Sequence, residues 1–202
     1  MIMADSFHMA QRARDVEFTT NSQDHPLIVQ FAANKSHYFA SSAEMVSKFS
    51  NGVDLNCGCP QRWALKEGIG ACLINNPEFV CDTVKQTRAK ISDPKFSVSV
   101  KIRIHNDISR TVDLARQMEA AGASFITVHG RTREQRGEPV NLEAIKAIRD
   151  SVHVPVVANG DIKSLEDVET TVAATGCHGV MAARGLLENP AMFAGYSETP
   201  DK

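Results

Sequence analysis

The feature that most constrains the fold of this chain is a repeated alternation of short apolar runs and stretches with helical spacing. Each apolar run is followed by a polar or glycine-containing turn, and then by a stretch whose apolar residues recur every three or four positions. Strict alternation of this kind predicts right-handed βαβ units and a parallel sheet, which is an α/β fold. The six predicted strands are 27–31, 53–56, 96–104, 125–129, 154–158 and 178–182.

Capping residues mark the predicted helix boundaries between these strands. Asn76 stands before a proline in the N-cap position, and Ser164 with Asp167 three residues later resembles a capping box. Gly122 and Gly176 lie where two of the helices are expected to end. The turns therefore agree with the alternation of strands and helices.

Polar residues at the strand ends distinguish a barrel from an open sheet. The odd-numbered residues from Ser97 to His105 are polar, whereas the even-numbered residues between Phe96 and Ile104 are apolar. An open sheet covered on both faces would be apolar on both. A barrel strand can instead direct polar groups inward near its carboxyl end, so we predict a (β/α)8 TIM barrel. Four other strands also end on polar residues, which are Gln30, Asn56, His129 and Asn159.

Composition limits the classes of function that this chain can have. The 202 residues suit one domain, and a formal net charge of −2 gives no strongly basic surface for nucleic acid over the whole chain. Five cysteines, an odd number, indicate reduced thiols, and no apolar run approaches the roughly 18 residues of a membrane span. The N-terminal segment has no signal-peptide core, so we expect a cytoplasmic or nuclear protein that does not contact membranes.

Cys59 is the cysteine in the most specific segment of the sequence. It lies between Gly58 and Pro60, directly after a predicted strand, where a thiol could act as a proton donor, a nucleophile or a metal ligand. Cys57 and Cys59 form a C-x-C pair without a second pair at zinc spacing, so no metal site is predicted. The remaining cysteines are expected to be small buried residues, and they are Cys72, Cys81 and Cys177.

The segment DLNCGCP, residues 54–60, resembles the signature of tRNA-dihydrouridine synthases, whose catalytic cysteine lies in the Gly-Cys-Pro triplet. Three further segments, beginning at residues 98, 126 and 156, are similar to segments of that family in the same order: VSVKIRIH, ITVHGRT, and VVANGDI followed by GVMAARGLLENP. The resemblance extends from about residue 1 to residue 200. It is strongest to the eukaryotic branch that modifies the D-loop uridines 20a and 20b.

The resemblance implies a flavin enzyme that acts on tRNA. Its cofactor would be FMN, its reductant NADPH or NADH, and its reaction the reduction of a uridine C5=C6 bond to give 5,6-dihydrouridine. Reduced FMN would deliver a hydride to C6, and Cys59 would protonate C5 from the opposite face. The protein would supply the positioning and the electrostatics for this cofactor chemistry.

The same resemblance assigns roles to residues at the strand ends. Gln30, Lys101 and His129 would contact the flavin ring. Asn56 would lie near the uridine base, and Arg103 and Arg131 would contact uracil or tRNA phosphate. The residues expected to hold the FMN phosphate are Asn159, Gly160, Asp161, Ala183, Arg184 and Gly185. The alternative for Lys101 is a solvated charge at a sheet edge, which the otherwise apolar strand disfavours. Without the resemblance, His129 would be interpreted as a satisfied core histidine.

The family pattern also predicts the extent of the barrel. Residues 1–196 would form a partial FMN-binding barrel with about six of eight strands, and 197–202 would be a tail. Residues 1–5 align with the end of the second strand, so the first strand and most of the second would be absent. The family's C-terminal helical tRNA-binding domain would also be absent, since the sequence ends just after GYSETPDK. The alternatives are a catalytically inactive truncated form, a partner-binding fragment, a dihydroorotate dehydrogenase-like enzyme and an aldolase that uses Lys101.

Overall fold

A computed structural model describes residues 1–200 of the chain. Within these residues, seven parallel strands form one sheet, and each strand pairs with the next strand along the chain. This sequential order is that of a barrel wall, because the strand order of a doubly wound sheet reverses. The strands are β1 (Ile2–Met3), β2 (Ile28–Ala32), β3 (Gly52–Cys57), β4 (Ser97–Arg103), β5 (Ile126–His129), β6 (Val156–Asn159) and β7 (Gly179–Met181).

Helices connect consecutive strands and cover the outer face of the sheet. Short 3-10 helices lie at Gly70–Asn75 and Met192–Ala194. No helix within residues 1–200 is both long enough and apolar enough to cross a membrane. The α-helices are α1 (Ala4–Met9), α2 (Gln11–Glu17), α3 (Ser36–Val46), α4 (Arg62–Lys66), α5 (Pro77–Lys90), α6 (Ile108–Ala120), α7 (Leu142–Arg149), α8 (Leu165–Thr175) and α9 (Arg184–Glu188).

The predicted α/β fold and the incomplete barrel are confirmed. All six predicted strands are present, and β1 is the short segment that the sequence placed at the end of a second barrel strand. Its residues Ile2 and Met3 pair with Phe31 and Ala32 of β2. Among residues 1–200, β1 and β7 do not pair with each other, so the seven strands do not close into a barrel.

Strand β4 has the two unlike faces that its sequence predicts. Val98, Val100 and Ile102 on its outer face are at most 1% exposed, and they pack in the core between the sheet and the helices. The prediction that His105 continues the polar inner face is wrong. The strand ends at Arg103, and the His105 ring instead bonds to helix α6 and to the 3-10 helix at Gly70–Asn75.

The predicted helix caps are also confirmed. Asn76 Oδ1 accepts a hydrogen bond from the N–H of Phe79 at 3.2 Å, and Ser164 Oγ accepts one from the N–H of Asp167 at 3.2 Å. Gly176 ends α8 with φ of 65°, a left-handed conformation that costs glycine little. These caps fix where each connection returns to the sheet, and therefore where each strand presents its carboxyl end.

Candidate active site

Strand register brings the polar residues of four neighbouring strands to one end of the sheet. Asn56 of β3 is in register with Lys101 of β4. Arg103 of β4 is in register with His129 of β5, which in turn is in register with Asn159 of β6. All five residues lie near the carboxyl ends of their strands, which is the end at which barrels build active sites.

The turn that carries Cys59 is held by hydrogen bonds to its backbone. Asn56 Oδ1 accepts from the N–H groups of Gly58 and Cys59 at 3.1 and 3.0 Å. The Gly58 carbonyl accepts from Nε of Arg103 at 3.0 Å, and the Cys59 carbonyl accepts from the N–H of Ala71 at 2.8 Å. The peptide group between Gly58 and Cys59 is therefore fixed through both its N–H and its C=O.

Cys59 and Cys57 differ in their exposure to solvent. The Cys57 side chain is 0% exposed, and burial raises the pKa of its thiol well above the ordinary range. Cys59 is partly exposed and packs beside a small apolar cluster of Ala32, Ala64 and Ile69. Cys59 is therefore the thiol of this pair that can reach a bound molecule, as its position at the turn predicts.

A chain of hydrogen bonds runs below the Cys59 turn. Asn56 Nδ2 donates to Gln30 Oε1 at 2.7 Å, and Gln30 Nε2 donates to Asp54 Oδ2 at 2.8 Å. Ser99 Oγ donates to the other oxygen of Asp54 at 2.7 Å. Sequence reasoning missed Asp54, although it precedes Asn56 by two residues in one strand, and this spacing places both side chains on the same face.

Lys101 is partly buried, and Asp54 on the neighbouring strand carries the opposite charge. Burial lowers the pKa of Lys101, while the carboxylate of Asp54 opposes this shift and Arg103 adds to it. Burial raises the pKa of Asp54, and the hydrogen bonds from Ser99 and Gln30 counteract the increase. Lys101 is thus desolvated beside the Cys59 turn, where its charge acts strongly on any bound anion.

His129 is a neutral imidazole at working pH. Its pKa is lowered to about 3 by burial and by the positive charges of Arg103, Lys101 and Arg131. Nη1 of Arg131 lies 3.3 Å from His129 Nε2. Because a guanidinium can only donate, Nε2 is the acceptor and the proton of the ring resides on Nδ1.

The two arginines predicted to contact substrate form hydrogen bonds and an ion pair with other residues of the chain. Arg103 is 7% exposed, and besides Gly58 it donates to the carbonyls of Thr132 and Gln135 at 2.7 and 3.1 Å. Arg131 is 3% exposed, and its Nη2 lies 2.5 Å from Oδ2 of Asp161. Both guanidinium groups therefore order the loops that follow strands β3, β5 and β6. Their contact with uracil or phosphate stays a prediction.

The two glycine turns predicted to hold a phosphate pack against each other. A shallow cleft beside His129 is lined by both turns, 159–161 and 183–185. At Gly185 a Cβ atom would overlap the carbonyl oxygen of Ile162, so glycine allows the turns to approach. Arg184 is largely exposed at the rim, 4.0 Å from Oδ1 of Asp161. The structure thus brings the six predicted phosphate-site residues together.

Comparison with known proteins identifies the family of this chain. The family described as Dihydrouridine synthase (Dus) matches residues 1–202, the whole sequence. The chain belongs to the dihydrouridine synthase family. The resemblance to dihydrouridine synthases is therefore confirmed.

Two curated relatives define the part of a synthase that this chain represents. It is 58% identical over 202 residues to the tRNA-dihydrouridine(20a/20b) synthase NAD(P)+-like proteins of Mus musculus and Homo sapiens. Those alignments cover 100% of this chain but 62% of the mouse protein and 64% of the human protein. The chain thus spans a little under two thirds of the relatives that it matches.

Solved structures show the same architecture at low sequence identity. DHODH from Eimeria tenella, in a complex with ferulenol, aligns with a TM-score of 0.63 and 11% identity, over 83% of this chain and 55% of that chain. Morphinone reductase aligns with a TM-score of 0.60 and 10% identity, over 82% and 50% of the two chains. These similarities support the α/β barrel-type fold of the chain.

Proposed function

We propose that this chain provides the flavin-binding and proton-donating part of an enzyme that reduces uridine to 5,6-dihydrouridine in tRNA. The observation that carries the proposal is the Cys59 turn, which is fixed by Asn56 and Arg103 beside Lys101. A partly exposed thiol held at the active end of a barrel is suited to donate one proton at a defined position.

The charges and polar groups of the site fit an anionic cofactor such as FMN. Three buried or half-buried cations, Lys101, Arg103 and Arg131, face two carboxylates, Asp54 and Asp161, so the site has an excess of positive charge.

An unpaired hydroxyl adds to this fit. The Oγ1 atom of Thr127 is buried and has no hydrogen-bond partner within residues 1–200, and Thr127 is in register with Lys101. Such an orphaned polar atom is expected where a bound group completes the site.

Distinct groups of residues would hold the two ends of FMN. Gln30, Lys101 and His129 would contact the ring, with His129 donating from Nδ1 and Lys101 stabilising negative charge. The two glycine turns would hold the phosphate through backbone N–H groups, with charge from Arg184: Asn159, Gly160, Asp161, Ala183, Arg184 and Gly185. When bound and reduced by NADPH or NADH, FMN supplies the hydride that C6 of uracil accepts.

Cys59 completes the reduction on the other carbon of the double bond. Its Sγ–H bond breaks, and the proton forms the new C–H bond at C5 as C6 receives the hydride. The thiolate that remains is reprotonated from solvent, which the partial exposure of Cys59 permits. One hydride and one proton therefore convert the C5=C6 double bond into a single bond.

The substrate would be a uridine turned out of the folded tRNA into the cleft, because a base inside tRNA structure cannot reach a barrel interior. Asn56, Arg103 and Arg131 would lie closest to the base and its phosphate. The relatives named for positions 20a and 20b favour these adjacent D-loop uridines as the target. A phosphate contact by either arginine would make tRNA affinity sensitive to salt.

The test begins with FMN titration of the purified chain, followed by a dihydrouridine assay on unmodified tRNA with NADPH. We expect near-stoichiometric flavin binding, and product formation that Cys59→Ala abolishes while flavin stays bound. Cys81→Ala is the matched control, since Cys81 is a half-buried thiol on helix α5. Equal product from the Cys59 variant would refute the role of the thiol. A chain that binds no FMN would instead favour the inactive or partner-binding alternative.

A further inference from the structure

Four side chains form a continuous line of hydrogen bonds from the barrel interior to the Cys59 turn. In order from the interior they are Ser99, Asp54, Gln30 and Asn56, and three bonds of 2.7 to 2.8 Å join them. Ser99 is 0% exposed and Asp54 is 5% exposed, so solvent is nearly excluded from this end of the line. Asp54 takes no part in the chemistry proposed above.

The backbone of the turn dictates the direction of the two bonds that join Asn56, Gln30 and Asp54. The N–H groups of Gly58 and Cys59 can only donate, so the group of Asn56 that faces them must be its carbonyl oxygen Oδ1. The Asn56 amide nitrogen must then point to Gln30 and donate to Oε1. This leaves Gln30 Nε2 as a donor on its far side, where only an acceptor can satisfy it. Asp54 is that acceptor.

We infer that Asp54 is a positioning residue for Cys59. Its oxygen Oδ2 accepts from Gln30, which fixes the orientation of the Gln30 and Asn56 amides and through them the backbone of the Cys59 turn. The inference deepens the proposed function, because it gives the Cys59 proton donor a support inside the barrel. It is nevertheless a statement about hydrogen-bond direction, so it can be tested on the backbone without flavin or tRNA.

The first experiment measures amide hydrogen exchange by NMR in the 202-residue chain. With Asp54→Leu, protection of the Gly58 and Cys59 amides should fall about tenfold or more, as expected when a supporting hydrogen bond to a charged group is lost. With Asp54→Asn, protection should stay within about threefold, because the new amide oxygen can still accept from Gln30. Val100 in the core of β4 serves as the reference amide.

Ser99→Ala is the matched control for these variants. It removes the other hydrogen bond to the same buried carboxylate and leaves the Gln30 connection intact. Protection at the turn should therefore change by no more than about threefold. If Ser99→Ala and Asp54→Leu reduce protection equally, the effect arises from general loosening of the interior and the inference is overturned.

A charge exchange between Asp54 and Asn56, which flank Gln30 in the line, gives the sharper test. Asn56→Asp still accepts from the turn but no longer donates to Gln30, whose amide must rotate and then presents Oε1 to the Asp54 carboxylate. Protection at the turn should fall about tenfold. Adding Asp54→Asn supplies a donor for the rotated Gln30 oxygen. The double variant should recover protection to within about threefold of the starting chain.

The outcomes separate this inference from the proposed function. If the double variant is no better protected than Asn56→Asp alone, the orientation of the Gln30 amide does not affect the turn, and the inference fails. Circular dichroism and Val100 exchange would reveal whether Asp54→Leu folds. If it does not, the inference is decided by Asn56→Asp and the double variant, because both keep polar side chains at positions 54 and 56. A chain that binds no FMN contradicts the proposed function but leaves the amide result unaffected.

Discussion

Gly70 lies so close to Cys59 that no side chain fits between them. A Cβ atom at Gly70 would lie 2.6 Å from the carbonyl oxygen of Cys59 and 2.9 Å from its Cβ. Because Ala71 donates to that same carbonyl, the 3-10 helix that begins at Gly70 forms one wall of the Cys59 turn. A residue eleven positions along the chain thus helps to determine where the thiol lies.

We therefore predict that Gly70→Ala displaces Cys59 and lowers dihydrouridine formation about tenfold or more, since small displacements of reacting groups carry costs of that order. Gly68→Ala is the matched control, because Gly68 has a similar φ of 71° but a Cβ atom there would meet nothing within 4 Å. Both variants should lose about 1 kcal/mol of stability through the left-handed backbone. Equal activity of the two variants would show that the contact with Cys59 has no role.

Arg103 is predicted to stabilise the chain through the three loop carbonyls that it binds. Arg103→Met keeps much of the apolar stem but leaves the carbonyls of Gly58, Thr132 and Gln135 without this donor. The free energy of unfolding should fall by about 2 kcal/mol in urea titrations. Arg103→Lys keeps the charge without the planar fork, and it should recover less than half of the loss.

The control for this prediction is Arg116→Met on helix α6. Arg116 is exposed, and its contacts are long, at 4.0 Å to Asp113 and 3.4 Å to the carbonyl of Ser151, so its removal should change the unfolding free energy by less than about 0.5 kcal/mol. A comparable loss from both substitutions would mean that Arg103 contributes nothing beyond an ordinary surface arginine.

The sequence predicts the fold of this chain well because the signals that mark its strands and helices are local. Apolar runs, caps and glycine stops are read from neighbouring residues, and the structure confirms all six predicted strands. The inner face of β4 was predicted correctly up to Arg103, where the strand ends. Beyond Arg103 the side chains no longer alternate between the two faces of a strand, and His105 turns toward Thr111 of the outer helix α6.

The site was predicted only where a strand end or a family segment marks it. Cys59, Lys101 and His129 belong to such segments, and the structure gathers them at one end of the sheet. Asp54 and Gly70 were missed, because their importance arises from pairings across the fold. No spacing in the sequence shows that Asp54 faces Gln30, or that Gly70 faces Cys59.

His129 should make the stability of the chain depend on pH. Its pKa of about 3 in the folded chain lies below the ordinary value of 6.5. Between these values the unfolded chain binds a proton that the folded chain does not, so stability falls as pH decreases through this window. Urea unfolding near pH 7 and near pH 4.5 should show a larger acid loss for the unmodified chain than for His129→Asn.

His153→Asn controls for the general effect of acid on this chain. The His153 side chain is 99% exposed and lies 3.6 Å from Glu119 Oε2, a solvent-screened contact, so its replacement should change the acid loss little. His105, whose pKa is also lowered by burial, stays in both variants and contributes equally. If His129→Asn loses as much stability as the unmodified chain, the imidazole is not held neutral by its surroundings.

Arg184 should bind the cofactor phosphate mainly through charge. Its side chain is 70% exposed, and its only ion pair within residues 1–200 is a 4.0 Å contact with Asp161. Arg184→Gln should raise the Kd of FMN about three- to tenfold at low ionic strength, and clearly less at high salt, because an exposed charge is screened. Fluorescence titration of FMN at the two salt concentrations measures both values.

Lys146→Gln tests whether any loss of positive charge has the same effect. Lys146 of the outer helix α7 is similarly charged and about half exposed, but it pairs with Asp150 and lies away from the glycine turns. Its replacement should leave the Kd of FMN within about twofold, since separation and salt screen its charge. If both variants weaken FMN binding equally, the chain attracts the flavin through its overall charge. In that case the phosphate does not lie at the turns that Arg184 borders.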